Sequence, residues 1–313
     1  MPAERSSFAL TAVEGRLFVA GGHCGGQHRY GPEDMLADLC VYDIDADRWH
    51  RLAPRPRTAQ GFQLVEHRGY LYAFGGFGYA IDADGQQRLR SSDAVDRYHI
   101  AADRWETIGV LDCPRSSYGV ALAGARAFLF GGWSVPTVTG FPRGTFLEHV
   151  SVFDLREETV TVARFAIPRH LRAFDTATCG DGETVALGGL GPASAFDLSD
   201  AVFGFSPCAA NPWRDLPSLP HGAFGPAAGV HCGMLIAAGG LWADDPRRFD
   251  AVRLLDLDAP DRGWRTAERR LAAGRILARI APLPDGALAV LGGHGGGRDG
   301  SFPTASVEVL EWP

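Results

Sequence analysis

The sequence predicts an all-β chain built from six similar four-stranded antiparallel sheets, and three observations carry that reading. An apolar run ending in Gly-Gly occurs six times, with first glycines at 21, 75, 131, 188, 239 and 292. The gaps of 54, 56, 57, 51 and 53 residues hold one period near 50, the mark of a repeat architecture. A turn glycine stands six residues before the doublet in five repeats, at Gly15, Gly69, Gly182, Gly233 and Gly286. A short apolar segment follows each doublet at 12 to 20 residues: "LCVYD", "VDRYH", "VSVFD", "VFGFS", "VRLLD" and "VEVLE".

Each repeat therefore holds four strands, a to d. Strands a and b flank the turn glycine as a hairpin, and b ends at the doublet. Strand c is the "VYD"-like segment. Strand d begins near a tryptophan: Trp49, Trp105, Trp213 and Trp264, with Val160 in its place in the third repeat. A glycine pair at a strand end permits positive φ and a close backbone approach that a side chain would block. Tyr and Trp supply large apolar area between neighbouring units, with a polar handle. The stretch "ERRLAAGRILARIA" has amphipathic helical spacing, but the repeat phase makes it strand d of the fifth unit running into strand a of the sixth.

Four-stranded sheets repeated radially make a β-propeller. The apolar-Gly-Gly ending, the "VYD" segment and the spaced tryptophan resemble the kelch-repeat family, across nearly the whole chain. The expectation is a single six-bladed kelch domain over residues 1–313, with blades at about 5–56, 57–114, 115–168, 169–220, 221–274 and 275–313. The sequence runs out after the sixth "VEVLE", and only "MPAE" precedes Arg5. A three-stranded last blade, closed by face-to-face packing alone, is expected.

Composition removes several function classes. The net charge of -7 opposes a nucleic-acid surface, which needs clustered positive charge. All 30 basic residues are Arg. The six cysteines are scattered with no CxxC, so neither a zinc knuckle nor a thioredoxin-like site is indicated. No run of 18 apolar residues and no secretory leader pattern occurs, so no membrane partner and a cytoplasmic location are expected. "VAGGHCGGQHRYG", residues 19–31, is not a phosphate loop, because GxxxxGK[ST] needs a Lys. "GGGRDG", residues 295–300, matches GxGxxG, but no helical pattern follows it.

Strand alternation sends the b–c and d–a loops to one face. The b–c loops run to about 15 residues, longer than ordinary hairpin loops, and long loops on a rigid scaffold carry function. Directly after the doublets stand His23, Phe77, Trp133, Leu190, Leu241 and His294. Strand a adds Arg57, Cys113, His170 and His221 eighteen residues before a doublet, and Arg5, Arg115 and Arg172 sixteen before. Six-fold phase would gather these at one mouth. Candidate catalytic residues are His23, His294, His170 and His221. Candidate ligand-binding residues are Arg5, Arg57, Arg115, Arg172, Tyr79 and Trp133, the arginines favouring a carboxylate. His23, His294 and His28 form a candidate metal set for zinc, copper or iron. The plainer reading of each is a strand cap or loop packing, and the cofactor stays open.

The resemblance implies two functions. One is binding, and isomerase-like or metal-dependent turnover, of a small polar, anionic or sugar-like molecule at the loop face. Bacterial kelch propellers such as sialic-acid mutarotases point this way, as does the propeller of galactose oxidase. The other is a non-catalytic module docking a protein partner, such as an acidic peptide, on the same face. The sequence leaves the oligomeric state open.

Overall fold

The computed structural model describes residues 1–81, 84–138, 142–194, 196–246, 249–297 and 300–311. Residues 298 and 299 of the GxGxxG match lie outside them. The chain forms two compact units, residues 7–172 with Pro2, and residues 173–313 with Met1 and residues 3–6.

In the first unit three antiparallel four-stranded sheets follow one another, each in the order a-b-c-d. They are Ala9–Val13, Arg16–His23, Met35–Asp43 and Arg48–Leu52; then Gln63–His67, Tyr70–Phe74, Ala94–His99 and Arg104–Val110; then Gly119–Ala123, Arg126–Phe130, His149–Asp154 and Thr159–Ala166. The second unit holds Asp175–Thr178, Thr184–Leu187, Val202–Phe205 and Trp213–Asp215; then Ala227–His231, Met234–Ala238, Val252–Asp256 and Arg265–Thr266; and a three-stranded sheet, Arg279–Pro282, Leu288–Leu291 and Val307–Leu310. Among the described residues there is no α-helix, and none long and apolar enough to cross a membrane. The segment with helical spacing, residues 268–281, is extended over Arg275–Ile276 and runs into strand a of the sixth repeat, Arg279–Pro282; strand d of the fifth ends ahead of it, at Arg265–Thr266.

The cores lie between successive sheets. Phe18, Leu39, Phe62, Leu64 and Tyr98 pack the first against the second. Phe74, Tyr118, Leu129 and Phe153 pack the second against the third. Leu187, Leu235 and Leu255 join the fourth and fifth, and Ile236, Leu254, Leu288 and Val290 the fifth and sixth. Two strand-d tryptophans, Trp105 and Trp264, cover these seams and use their polar handle across them. Trp105 Nε1 donates to the Ala53 carbonyl at 2.9 Å, and Trp264 Nε1 to the Pro217 carbonyl at 2.8 Å.

The doublets do more than end a strand. In all six, the first glycine has φ of 54 to 69° and the second 80 to 109°, a region where L side chains are strained. That twist turns the second N–H out of its own sheet and onto the entry segment of the next repeat. Gly22 donates to Ala59, Gly76 to Arg115, Gly132 to Leu171, Gly189 to Ala223 and Gly240 to Arg275, all at 2.7–2.9 Å. The sixth, Gly293, donates to the Arg5 carbonyl at 2.9 Å, and Arg5 N–H donates to Thr304 at 3.3 Å. Face packing alone is therefore not what holds residues 3–6 to the last sheet. Backbone hydrogen bonds do, because residues 3–6 occupy the acceptor position that strand a entries occupy elsewhere.

The carbonyl of the first glycine is also occupied. Gly75 accepts from Arg55 at 3.0 Å, Gly131 from Arg115 at 2.7 Å, Gly292 from Arg275 at 3.2 Å and Gly239 from the Trp242 indole at 2.7 Å. These buried arginines reach on to a strand-c acceptor: Asp96 at 2.7 Å, Ser151 at 2.9 Å and Glu308 at 3.4 Å respectively.

A Cβ on Gly75 would lie 2.5 Å from the Arg115 carbonyl and 2.7 Å from that of Ser92, whereas one on Gly69 would meet nothing within 4 Å. Gly75→Ala is expected to cost about 2–4 kcal/mol by strain and lost contact. Gly69→Ala, also at positive φ, should cost about 1 kcal/mol. Equal losses in urea unfolding would contradict the account.

Candidate functional site

The b–c loops of the first unit are folded, not irregular. In the first repeat the segment after the doublet closes around Asp34, which is 5% exposed. Its carboxylate accepts from Gly31 N–H at 2.8 Å, and its carbonyl accepts from Cys24 N–H at 2.8 Å. His23 points into this loop. Its Nε2 lies 2.5 Å from the Arg29 carbonyl, so the ring nitrogen is the donor, and the ring packs on Tyr30 at 5.6 Å. Burial outweighs the Arg29 carbonyl and Asp34 and holds His23 below the ordinary imidazole value. The Gly/His/Cys-rich stretch is thus a loop pinned by a neutral histidine.

In the second repeat the loop is a hairpin, Phe77–Ile81 paired with Gln87–Ser91. In the third, Trp133–Ser134 pairs with Thr145–Phe146. The three loops knit together. Tyr79 hydroxyl donates to the Tyr30 carbonyl at 2.5 Å, Val138 N–H to Leu89 at 2.9 Å and Ser91 N–H to Val135 at 2.9 Å. Met35, Phe77, Leu89 and Val135 form a buried cluster beneath, flanked by Tyr30, Tyr79 and Trp133. Above it opens a pocket of about 420 Å³ walled by His28, Tyr30, Tyr79, Arg88, Leu89 and Val138, with Gln87 and Thr137 beside them.

At the margin of this loop cluster stands Arg172. Its guanidinium lies over the Trp133 ring at 4.0 Å, and its charge bears on Tyr30. Burial pushes Arg172 below the usual arginine value, with Tyr30 the one group pulling it back, yet a guanidinium keeps its proton at any physiological pH. Among the described residues no carboxylate lies within ion-pair distance of Arg172, and its Nε has no hydrogen-bond partner. The fifth repeat supplies the contrast. Arg253 lies over Trp242 at 3.9 Å, and there the cation is matched by Asp244 at 2.9 Å.

The other sequence candidates divide by environment. Arg5 and Arg115 are fully buried. Arg115 serves the Gly131 carbonyl, and Arg5 donates to Ala3 at 3.4 Å. Arg57 pairs with buried Asp96 at 3.1 Å and bonds Thr107 at 3.0 Å. These three belong to the frame of the sheets. His170 is half exposed and faces Glu148 at 3.6 Å; His221 is half exposed and faces Asp244 at 3.5 Å. His294 is 5% exposed, at the head of the strand His294–Gly297, which pairs with Gly300–Pro303. Among the described residues, neither His23, His28 nor His170 belongs to a set of three metal-ligating side chains. The set that does form is Asp112, Cys113 and His149, with ligand atoms all within 4.8 Å of one another.

Gln87, Arg88, Leu89, Thr137 and Val138 were not singled out by the repeat phase, because they sit in loop hairpins that differ from repeat to repeat. The signal was present for one: "FGYAI" and "QRLRS" alternate around a turn containing Asp84 and Gly85.

Glycine doublets that bond sheet to sheet, with strands in the order a-b-c-d, define a β-propeller. The Kelch motif model matches residues 4–56. Mouse Kelch-like protein 35 is 26% identical over 216 residues, 69% of this chain and 31% of that protein. Mouse Kelch-like protein 26 is 31% identical over 132 residues, 42% of this chain and 20% of that protein. The beta-scruin of Limulus polyphemus is 23% identical over 43% of this chain and 14% of its own. The chain spans less than a third of the length of such curated relatives. The solved structure of YjhT superposes with a TM-score of 0.75 and 17% identity, covering 99% of each chain. The chain carries a Kelch motif and has the propeller fold.

His23 binds fewer protons folded than unfolded, because burial lowers its pKa from 6.5. The stability it supports is therefore full above that value and is lost as pH falls below it. Between about pH 7.5 and about pH 5, the melting temperature of wild type should drop more steeply than that of His23→Asn. Parallel slopes would contradict a buried neutral imidazole.

Proposed function

We propose that the b–c loop face of residues 7–172 binds a small polar ligand carrying a carboxylate, a sugar acid being the chemical class that fits best. One observation carries this reading: Arg172 is a half-buried cation stacked on Trp133 with no carboxylate beside it. Such a charge favours an anion brought in from solution, which regains in bidentate pairing what burial cost. Tyr30, Tyr79 and Trp133 offer flat apolar surface to a sugar ring, and Gln87 and Arg88 offer polar groups at the pocket wall. The reading of the whole chain as one six-bladed domain goes with this proposal.

Turnover is the finer part of it. Interconversion of ring anomers needs one group to give and take a proton near neutrality, and His28 is the imidazole on the pocket wall. Of the other candidate histidines, His170, His221 and His294 do not line this pocket.

The test is titration calorimetry against a panel of sugar acids that includes sialic acid, with line-shape NMR of anomer exchange. Wild type should bind one carboxylate-bearing member. Arg172→Gln should lose about 1.5–3 kcal/mol of affinity, the worth of hydrogen bonds to a charged group, with an unchanged melting temperature. Equal binding by both proteins, or binding of acidic peptides and no sugar acid by wild type, would overturn the small-ligand reading.

A further inference from the structure

A second cluster of chemistry-bearing side chains lies outside the pocket. Asp112 and Cys113 sit in the turn that leads from strand d of the second sheet to strand a of the third. His149 is the first residue of strand c of the third sheet, where the pairing with strand d shifts register between His149 and Ser151. Bulges of this kind re-aim side chains and recur beside functional sites. Here the irregularity brings the imidazole over the turn. His149 Nε2 lies 2.7 Å from Asp112 Oδ2 and 3.5 Å from Cys113 Sγ.

The contacts around Nε2 conflict as they stand. Arg115 Nη2, a donor, lies 3.1 Å from the same nitrogen that faces the Asp112 carboxylate, an acceptor. One ring nitrogen either donates or accepts, and it cannot serve both neighbours. A cation would take the lone pair of the nitrogen that both neighbours contest, with carboxylate and thiolate turned to the same positive centre, and Arg115 would give up its contact to Nε2. Arg115 does not depend on the His149 imidazole, because it also donates to the Gly131 carbonyl at 2.7 Å, Ser151 Oγ at 2.9 Å and the His149 backbone carbonyl at 3.4 Å.

We propose that Asp112, Cys113 and His149 bind a thiophilic divalent cation, zinc above all, with a fourth position left to water. The donor set is that of zinc rather than of magnesium or calcium, which take oxygen ligands. The spacing agrees. Zinc at about 2.3 Å from sulfur and about 2.0 Å from nitrogen holds the two about 3.5 Å apart in tetrahedral geometry, and Sγ and Nε2 are 3.5 Å apart. Zinc would hold oxygen and nitrogen about 3.3 Å apart, so the Asp112 carboxylate must swing outward a little from its present 2.7 Å. Both Asp112 and His149 are partly exposed, so the ion has a path in. Binding releases the thiol proton to solvent; burial pushes the Cys113 thiol up, and the Arg115 guanidinium beside it offsets part of that. The same guanidinium repels the incoming cation, which argues for moderate rather than extreme affinity. The site shares no residue with the sugar-acid pocket, and its test does not depend on that reading.

The experiment is addition of Co²⁺, then Zn²⁺, to the full chain after chelator treatment, followed by absorption. One Co²⁺ per chain is expected, with a thiolate-to-cobalt charge-transfer band that Zn²⁺ abolishes. Cys113→Ser should remove the band, and His149→Gln should weaken binding at least ~10-fold. Cys208→Ser, at an exposed cysteine elsewhere, should change nothing. Circular dichroism checks the fold of each variant, and if His149→Gln is unfolded, Asp112→Asn takes its place with the same expected loss. No charge-transfer band in wild type, or a band that survives Cys113→Ser, overturns the proposal.

Discussion

A strand that ends in two residues of positive φ cannot simply run on into its loop. The first glycine turns the chain, and the second aims its N–H sideways at the neighbouring repeat. Six such bonds tie each repeat to the entry segment of another, and the close approach leaves no room for a Cβ at the first position. At Gly21, Gly75, Gly188 and Gly239 a Cβ would lie within 2.8 Å of that segment's carbonyl. Sheet-to-sheet burial supplies the apolar free energy, but burial is non-directional. The glycine link fixes how far and at what rotation the next sheet must sit.

That link creates a demand that explains much of the buried charge. Turning the chain leaves the first glycine's carbonyl facing inward, where an unmet acceptor is costly. A long side chain reaches it from the segment ahead of strand a in three repeats, as Arg55, Arg115 and Arg275, and the Trp242 indole meets it in a fourth. Arginine suits the task because one guanidinium spans both the carbonyl and a strand-c acceptor. Arginines on the loop face therefore fall into two kinds. Most have their hydrogen bonds and their counter-charge assigned by the frame. Arg172 has an aromatic platform and no assigned anion, which is why the ligand hypothesis rests on it and not on the number of arginines nearby.

Much of this frame was legible because it repeats. The doublet and the "VYD"-like strand recur in six repeats, the turn glycine in five and the tryptophan in four, so weak signals add to one strong one. The three-stranded last sheet followed from counting segments. What phase could not reveal was anything that differs between repeats. The hairpin Phe77–Ile81/Gln87–Ser91 belongs to one loop and carries its own alternation. The role of Arg55 was hidden because it reaches Gly75 from 20 residues upstream, where the other repeats use 16 or 17. Phase did put Arg5, Arg57, Arg115, Arg172, His23 and Cys113 at strand ends on the loop side. It could not say which of them are spent on carbonyls and carboxylates of the frame, since that depends on side-chain reach and on neighbours remote in sequence. The Asp112–Cys113–His149 group was invisible for the same reason: its imidazole arrives 36 residues later through a register shift.

The measurement that bears most directly on this account is amide hydrogen exchange at the second glycines, 22, 76, 132, 189, 240 and 293. If their N–H groups hold the repeats together, they exchange only with global unfolding, as slowly as the central strand-b amides. Exchange at the rate of the b–c loop amides, with strand b still protected, would show that the doublets are ordinary strand ends and that apolar packing alone sets the spacing of the sheets.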